Sequence, residues 1–323
     1  LSSFAAPPWG AVAALAGAAV RAGFARACAA PANRMNIADF QPQQPFLVGI
    51  DSDGCVFDSM ELKHKECFIP AFINSYGLQG VSKYAREAAE FVNLYSKTRG
   101  VNRFPGLVAQ LDWLRRRPEV RARGVDVPDP QGLRDWTRNE PRLSNPALKK
   151  AIEATGDRDL QHALAWSEAV NAAIAAMVRN VPPFPDVRAC LERLATQADL
   201  LVVSATPTEA LLAEWHEHDL APLVRAILGQ ELGTKKEMLT VAAGYPADHA
   251  LMIGDAPGDY QAAAANKCLF FPINPGHEEA SWRRLLEEGV DRFFAGAFAG
   301  TYQQELLEEF DGFLPESPPW PVE

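Results

Sequence analysis

The sequence has few cysteines and no apolar run of membrane-spanning length. Its five cysteines, an odd number in 323 residues, are widely spaced. This argues against a disulfide framework and favours a reducing compartment, which we expect to be the cytoplasm. An apolar stretch at residues 9–20 is short and rich in alanine. It is too weak to span a membrane, and no lysine or arginine precedes it.

Positive charge is also scarce. The chain has 31 lysines and arginines against 41 aspartates and glutamates, a formal net charge of -10. Three arginines follow one another at residues 115–117, but no aromatic residues are interleaved with them, so we expect a solvated face rather than a nucleic-acid site. With 48% hydrophobic and 22% charged residues, the chain can form one large core and a smaller accessory domain.

Four short segments hold the residues with evident chemistry. They are DSDGCVFDS at 51–59, VVSAT at 202–206, GTKKE at 233–237 and MIGDAPGDY at 252–260. Each follows an apolar run or opens a helix. Alone, each segment also fits a structural role, such as a turn, a strand end or a helix cap. Their combination supplies two acidic pairs, a hydroxyl and an amine, which is equipment for phosphoryl transfer through an aspartyl intermediate.

The first acidic pair can divide two catalytic roles. A phosphate monoester is anionic, so its cleavage needs a nucleophile, a proton donor for the leaving oxygen and positive charge near the phosphoryl oxygens. We predict that Asp51 is the nucleophile and Asp53 the general acid and base. Gly54 allows the backbone to turn so that both carboxylates face one bound group.

The remaining segments supply charge and a hydroxyl. Asp255 and Asp259 add two carboxylates, and such clustering favours a hard divalent cation with oxygen ligands, which indicates Mg2+ as the cofactor. Ser204 can donate a hydrogen bond to the phosphoryl group. A lysine of GTKKE would offset the charge of the transition state. Met238 and Leu239 form an apolar stripe that favours Lys235, with Lys236 turned to solvent.

These residues resemble the motifs of the haloacid dehalogenase superfamily. The order is the same: DxDGxxxDS after an apolar strand, a Ser or Thr ending a strand, a Lys opening a helix, and GDxxxD. The resemblance covers residues 44–60 and 182–275. It implies a Mg2+-dependent phosphatase with Asp51, Asp53, Ser204 and Lys235 as catalytic residues. It implies metal ligation by Asp51, Asp53, Asp255 and Asp259, and substrate contacts from Gly54, Arg103, Ala205 and Thr206.

The segment between the first two motifs corresponds to that family's helical cap. Residues 61–180, called the helical insert below, have helical apolar spacing. Within them, residues 99–104 resemble the cap specificity loop of β-phosphoglucomutase and related phosphatases, and the resemblance implies that Arg103 reaches the substrate. A surface turn with two solvated arginines is the alternative. The insert is longer than the usual small cap of this family.

Alternation of apolar runs and amphipathic segments predicts an α/β fold, a Rossmann-like doubly wound parallel sheet. Strands are expected at 46–50, 200–203, 223–228, 251–253 and 268–273. We assign residues 41–60 and 181–311 to this core and 61–180 to the cap. Residues 1–40 are expected to be a poorly ordered extension, since Met35 precedes the first strand closely, although residues 27–31 also fit a signal cleavage site. Residues 312–323 are expected to be an irregular tail.

Three functions remain open on the sequence alone. The first is hydrolysis of a small phosphorylated metabolite, such as a sugar phosphate. The second is a phosphomutase of the β-phosphoglucomutase type, which Lys63 disfavours because mutase-like members generally have a histidine near the hinge. The third is an inactive module that binds a phosphate ligand. Dehalogenase or phosphonate-cleaving chemistry is disfavoured because those branches lack the carboxylate that Asp53 provides. Nothing in the sequence indicates the oligomeric state.

Overall fold

The computed structural model describes residues 37–321, and a five-stranded parallel sheet lies at their centre. The sheet order is β3-β2-β1-β4-β5, and all four strand pairs are parallel. The strands are β1 (Phe46–Ile50), β2 (Ala198–Val203), β3 (Ala226–Leu228), β4 (Ala250–Gly254) and β5 (Leu269–Pro272). The predicted α/β class is confirmed. The third strand was predicted three residues too early, because residues 221–223 form a 3-10 helix that contains Pro222.

Strand register explains why distant segments meet. The central strand β1 pairs with β2 and β4, with Ile50 opposite both Val202 and Ile253. Asp51, Ser204 and Asp255 follow these three residues within two positions, so they lie at the same edge of the sheet. The carboxyl ends of parallel strands are where ligands bind in doubly wound folds.

Helices cover both faces of the sheet. Val48 and Ile50 of β1 pack into one buried cluster and Leu47 into another, as the two-residue period of a strand dictates. The covering helices are α9 (Val187–Leu194), α10 (Thr208–Glu217), α11 (Lys235–Met238), α12 (Pro257–Ala265), α13 (Glu278–Arg284), α14 (Val290–Phe294) and α15 (Thr301–Phe313). Short 3-10 segments lie at 37–39, 79–81, 221–223, 230–232 and 239–244, and π segments at 63–68 and 285–289.

The helical insert has its own hydrophobic core. Its buried side chains include Phe72, Phe104 and Trp166. The helices of the insert and of the segment that leads into it are α1 (Ser59–Leu62), α2 (Ile69–Ser75), α3 (Ser82–Asn93), α4 (Arg103–Arg115), α5 (Pro118–Ala122), α6 (Gln131–Asn139), α7 (Asn145–Thr155) and α8 (Arg158–Met177). Among the described residues, no helix has the length and apolar character needed to cross a membrane.

The solvated face expected at residues 115–117 holds for Arg116, which is exposed, but it is wrong for Arg117. Arg117 is buried and pairs with Glu87 at 2.5 Å. Its guanidinium lies between the rings of Tyr84 and Trp320, 4.6 and 4.4 Å from their centroids. Arg117 therefore packs inside the protein. An arginine is favoured at such a position because its planar guanidinium stacks on aromatic rings that are shielded from water.

Both ends of the described chain pack against the rest of it. Residues 1–36, which include most of the predicted extension, lie outside the described residues, but Phe40 is buried near Tyr245. Residues 314–321, the part of the tail that the structure describes, form no helix or strand. They are nevertheless tied to the helical insert, because Trp320 packs edge to face on Phe91 with 5.6 Å between ring centroids. The backbone N–H of Lys97 donates to the Pro315 carbonyl at 3.3 Å.

Candidate active site

Three buried carboxylates meet at the edge of the sheet. Asp51 follows β1, and its backbone N–H continues the ladder by donating to the Ile253 carbonyl at 3.0 Å. Asp255 and Asp259 follow β4. One oxygen from each of the three side chains lies within 4.8 Å of the others, and all three residues are buried. This group is called the acid cluster below.

Lys235 supplies a cation to the acid cluster. Its Nζ lies 2.7 Å from Asp51 Oδ2 and 2.6 Å from Asp259 Oδ1. Thr234 caps the short helix α11 with a capping box to Glu237, which fixes where the lysine leaves the backbone. Met238 and Leu239 are buried, while Lys236 is exposed. The structure thus brings Lys235 to the acid cluster and turns Lys236 to solvent.

Burial and mutual repulsion disfavour the charged forms of these carboxylates. Burial raises the pKa of Asp51 well above its usual range, against the lowering effect of Lys235. Burial also raises the pKa of Asp255, and the nearby Arg99 lowers it only in part. Oδ1 of Asp255 is buried and has no hydrogen-bond partner among the described residues. An unsatisfied carboxylate oxygen in an oxygen-only cluster fits a hard divalent cation such as Mg2+.

The structure places the side chain of Asp53 outside the acid cluster. Its two oxygens accept hydrogen bonds from Lys63 Nζ at 2.5 and 2.6 Å, from Ser59, and from Thr206 Oγ1 at 2.7 Å. Burial alone would raise the pKa of Asp53, but Lys63 and these hydrogen bonds bring it below its ordinary value. The predicted metal ligation by this carboxylate therefore has no support in the observed contacts.

Lys63 is a site residue whose role sequence reasoning missed. It lies where helix α1 passes into the π segment at residues 63–68, a distortion that often occurs at functional sites. Ser59 and Lys63 are four residues apart on continuous helix, so they share a face and both reach Asp53. The sequence therefore does contain a signal for this contact, namely a serine and a lysine four residues apart shortly after DxDG.

The other predicted residues of the core lie at or near the same edge. Ser204 is buried at the end of β2, and its Oγ accepts a hydrogen bond from the Thr206 backbone N–H at 3.3 Å. Ala205 is exposed. The backbone N–H of Gly54 donates within its own turn to the Phe57 carbonyl at 2.8 Å.

The helical insert reaches the acid cluster through Arg99. This side chain is buried, and its Nε and Nη2 lie 2.8 and 2.7 Å from the same oxygen, Asp255 Oδ2. Arg103, the arginine predicted to face the substrate, instead contacts residues of the insert. Its Nη1 donates to Ser167 Oγ at 2.9 Å and to Asn171 Oδ1 at 2.7 Å, and none of its observed contacts is to the acid cluster.

Two glycines permit this close approach. Gly54 has φ +75°, and a Cβ there would lie 2.8 Å from both Arg99 Nη2 and Asp255 Oδ2. Gly100 has φ +76°, and a Cβ there would lie 2.9 Å from the Cβ of Ala256. Glycine adopts such angles more readily than residues with a Cβ. The insert therefore packs directly on the first and fourth motif segments.

A partly buried carboxyl lies behind the first motif. Glu214 of α10 accepts a long hydrogen bond of 3.4 Å from Ser52 Oγ, and Ser52 Oγ accepts one from Trp215 Nε1 at 3.0 Å. Burial, and then the charge of Asp53, raises the pKa of Glu214 from 4.5 to about 7. At neutral pH this group is partly protonated.

Glu214→Gln should therefore stabilise the protein at alkaline pH. The folded chain retains the Glu214 proton up to about pH 7, while the unfolded chain loses it near 4.5, so stability falls as pH rises through that window. We expect the variant to gain roughly 2 kcal/mol in the free energy of unfolding at pH 8 and little at pH 4, measured by urea unfolding. Glu217→Gln, at an exposed position of the same helix, is the control. Equal gains at both pH values would contradict the assignment.

Comparison with protein-family models finds no match, and comparison with curated proteins finds none either. Solved structures do show similarity. One, from Lactobacillus delbrueckii subsp. bulgaricus and provisionally assigned as a phosphoglycolate phosphatase, has 15% identity and a TM-score of 0.44, covering 80% of this chain and 100% of the other.

Two further structures are similar over most of their length. A predicted phosphoglycolate phosphatase from Haemophilus somnus has 15% identity and a TM-score of 0.40, covering 72% of this chain and 86% of its own. A haloacid dehalogenase-like hydrolase from Streptococcus pneumoniae has 12% identity and a TM-score of 0.37, covering 74% of this chain and 90% of its own. Identities and scores this low carry no argument about activity, so the function is argued from the residues of this chain.

Proposed function

We propose that the chain is a Mg2+-dependent phosphatase of the haloacid dehalogenase type that hydrolyses a small phosphorylated metabolite, such as a sugar phosphate, in the cytoplasm. One observation carries the proposal: Lys235 bridges Asp51 and Asp259, while Asp255 completes a carboxylate cluster at the carboxyl ends of β1 and β4. Three of the four sequence segments thus meet at the acid cluster, and the second segment lies beside them through the hydrogen bond from Thr206 to Asp53. Such convergence supports a reaction there, since a structural role for each segment would not require it.

Asp51 has the position expected of a nucleophile. One of its oxygens would attack phosphorus, forming an aspartyl phosphate as the ester P–O bond breaks. The Ser52 backbone N–H donates to Asp51 Oδ1 at 2.8 Å, and Lys235 contacts Oδ2, so the carboxylate is held in one orientation. The ammonium of Lys235 and the hydroxyl of Ser204 would face the phosphoryl oxygens and offset their charge.

Proton transfer falls to Asp53 together with Lys63. The Lys63 ammonium holds the proton of this ion pair, which would pass through Asp53 to the leaving oxygen. The same pair would then accept a proton from the water that attacks the aspartyl phosphate, restoring Asp51 and releasing phosphate. Asp51, Asp255 and Asp259 would hold Mg2+, which supplies charge neutralisation to the phosphoryl group when bound.

The helical insert excludes water from the reaction. Asp51 is 5% exposed and Asp255 is 1% exposed, so substrate needs a movement that opens the acid cluster. The loop around Arg99, which contacts Asp255, is the segment that we expect to move. The exclusion of water strengthens each electrostatic contact with the phosphoryl group. No contact in the described residues favours the phosphomutase alternative, and Lys63 is engaged with Asp53.

Phosphate release is the test of this function. We expect release from an aryl phosphate and from some members of a panel of sugar and other metabolite phosphates, with Mg2+ present and with loss of the activity in EDTA. Conversion of a sugar phosphate to an isomer without release would favour the mutase. Tight binding of phosphate esters with neither reaction would favour the inactive module. The ranking within the panel would define the substrate class.

A further inference from the structure

The contact between Arg99 and Asp255 has an unusual geometry. Arginine and carboxylate usually pair through two nitrogens and two oxygens. Here Nε and Nη2 both face Oδ2, and Oδ1 stays buried without a hydrogen-bond partner among the described residues. Asp255 thus offers one oxygen to the helical insert, and its other oxygen has no hydrogen-bond donor among the described residues.

A cation bound at the acid cluster would meet the charge of Arg99. Four carboxylates, those of Asp53 and the acid cluster, face three cationic side chains, namely Lys63, Lys235 and Arg99. When all four carboxylates are ionised, as cation binding would favour, negative charge is in excess at the site. However, a guanidinium and an ion on opposite oxygens of one carboxylate repel each other strongly in a buried site.

Arg99 also ties the helical insert to the sheet edge. Its Nη1 donates to the Leu94 carbonyl at 2.8 Å, so the side chain braces the loop of residues 94–101. Local hydrogen bonds hold that loop, including those from the Arg99 backbone N–H to Ser96 and from Val101 to Thr98. Weakening the contact with Asp255 would remove the ion pair by which this loop binds the acid cluster.

We propose that Arg99 and a divalent cation are antagonists at Asp255, so that cation binding loosens the 94–101 loop from the sheet edge. The inference rests on the metal site of the proposed function and adds a link between that site and the position of the insert. Arg99 is a positioning residue in this account. It lowers the affinity of the acid cluster for the ion. The ion in turn weakens the contact between Arg99 and Asp255 that holds the insert at the sheet edge.

Direct titration with Mg2+ tests the antagonism without relying on turnover. Binding is measured by calorimetry for the wild type, Arg99→Gln, Arg99→Lys and Arg103→Gln. We expect Arg99→Gln to bind Mg2+ roughly tenfold more tightly or better, because the competing charge is gone. Arg99→Lys keeps a charge and should stay close to the wild type. Arg103→Gln removes an arginine four residues away that contacts only the insert, and should leave the affinity unchanged.

Hydrogen exchange of the wild type provides a second measurement that needs no variant. Addition of Mg2+ should increase amide exchange at residues 94–101 relative to EDTA. Equal or weaker Mg2+ binding by folded Arg99→Gln, or unchanged or slower exchange in the loop, would overturn the antagonism while leaving the phosphatase proposal intact. Absence of Mg2+ binding by every variant would reject both the antagonism and the metal site.

Discussion

Asp51→Asn is expected to lower phosphate release by roughly four orders of magnitude or more, the scale of losing a nucleophile. The amide has nearly the same shape as the carboxylate but cannot form an acyl phosphate. The variant should fold, because burial already disfavours the charged form of Asp51. The measurement is the rate of phosphate release with saturating Mg2+ and the best ester of the panel.

Asp58→Asn is the matched control for this change. Asp58 belongs to the same segment but is exposed and makes no side-chain capping bond at α1. Its replacement should leave phosphate release near the wild-type rate. Undiminished release by Asp51→Asn would contradict the nucleophile assignment, whereas equal losses in both variants would point to a folding defect of the segment.

Lys235→Met is expected to reduce both activity and stability. Asp51 and Asp259 would lose their shared cation, and breaking a buried ion pair by removing one partner costs about 3 kcal/mol. Burial opposes the charge of Lys235, but the two aspartates raise its pKa above the ordinary value, so the ammonium is charged in the folded protein. We expect phosphate release to fall by roughly 100-fold or more, as for loss of a group that stabilises the transition state.

Lys236→Met is the control that shows whether these losses are specific to Lys235 or follow from removing either lysine of the segment. Lys236 is exposed on the same helix, so its replacement should change the free energy of unfolding by at most about 0.5 kcal/mol and leave turnover unchanged. Urea unfolding and phosphate release are measured for both variants. Comparable losses in the two would contradict the assignment of Lys235.

The meeting of distant segments could be predicted because it follows from strand topology. Each of the apolar runs before Asp51, Ser204 and Asp255 is short and strand-like, and parallel strands place the residues that follow them at one edge. The choice of Lys235 over Lys236 could also be predicted from the sequence, because it depends only on the local register of Met238 and Leu239. Local sequence pattern and parallel strand topology are therefore enough to predict where these residues lie.

The contacts of the helical insert could not be predicted in the same way. Arg99 lies in the loop of residues 94–101 and Arg103 begins the helix that follows it. Which of the two faces the core depends on how the insert packs on Gly54 and Ala256. The resemblance pointed to Arg103, but its hydrogen-bond partners Ser167 and Asn171 lie on α8 rather than at the sheet edge. Docking of Trp320 on the insert is likewise a long-range contact with no local signal.

Trapping the covalent intermediate tests the central claim most directly. The enzyme is mixed with Mg2+ and its best substrate, quenched within one turnover and treated with borohydride, which reduces an acyl phosphate to an alcohol. We predict that peptide mass mapping finds homoserine at position 51 and at no other aspartate, and finds none without substrate. Turnover without any reduced residue, or reduction at Asp53, Asp255 or Asp259 instead, would contradict the assignment of Asp51 as the nucleophile.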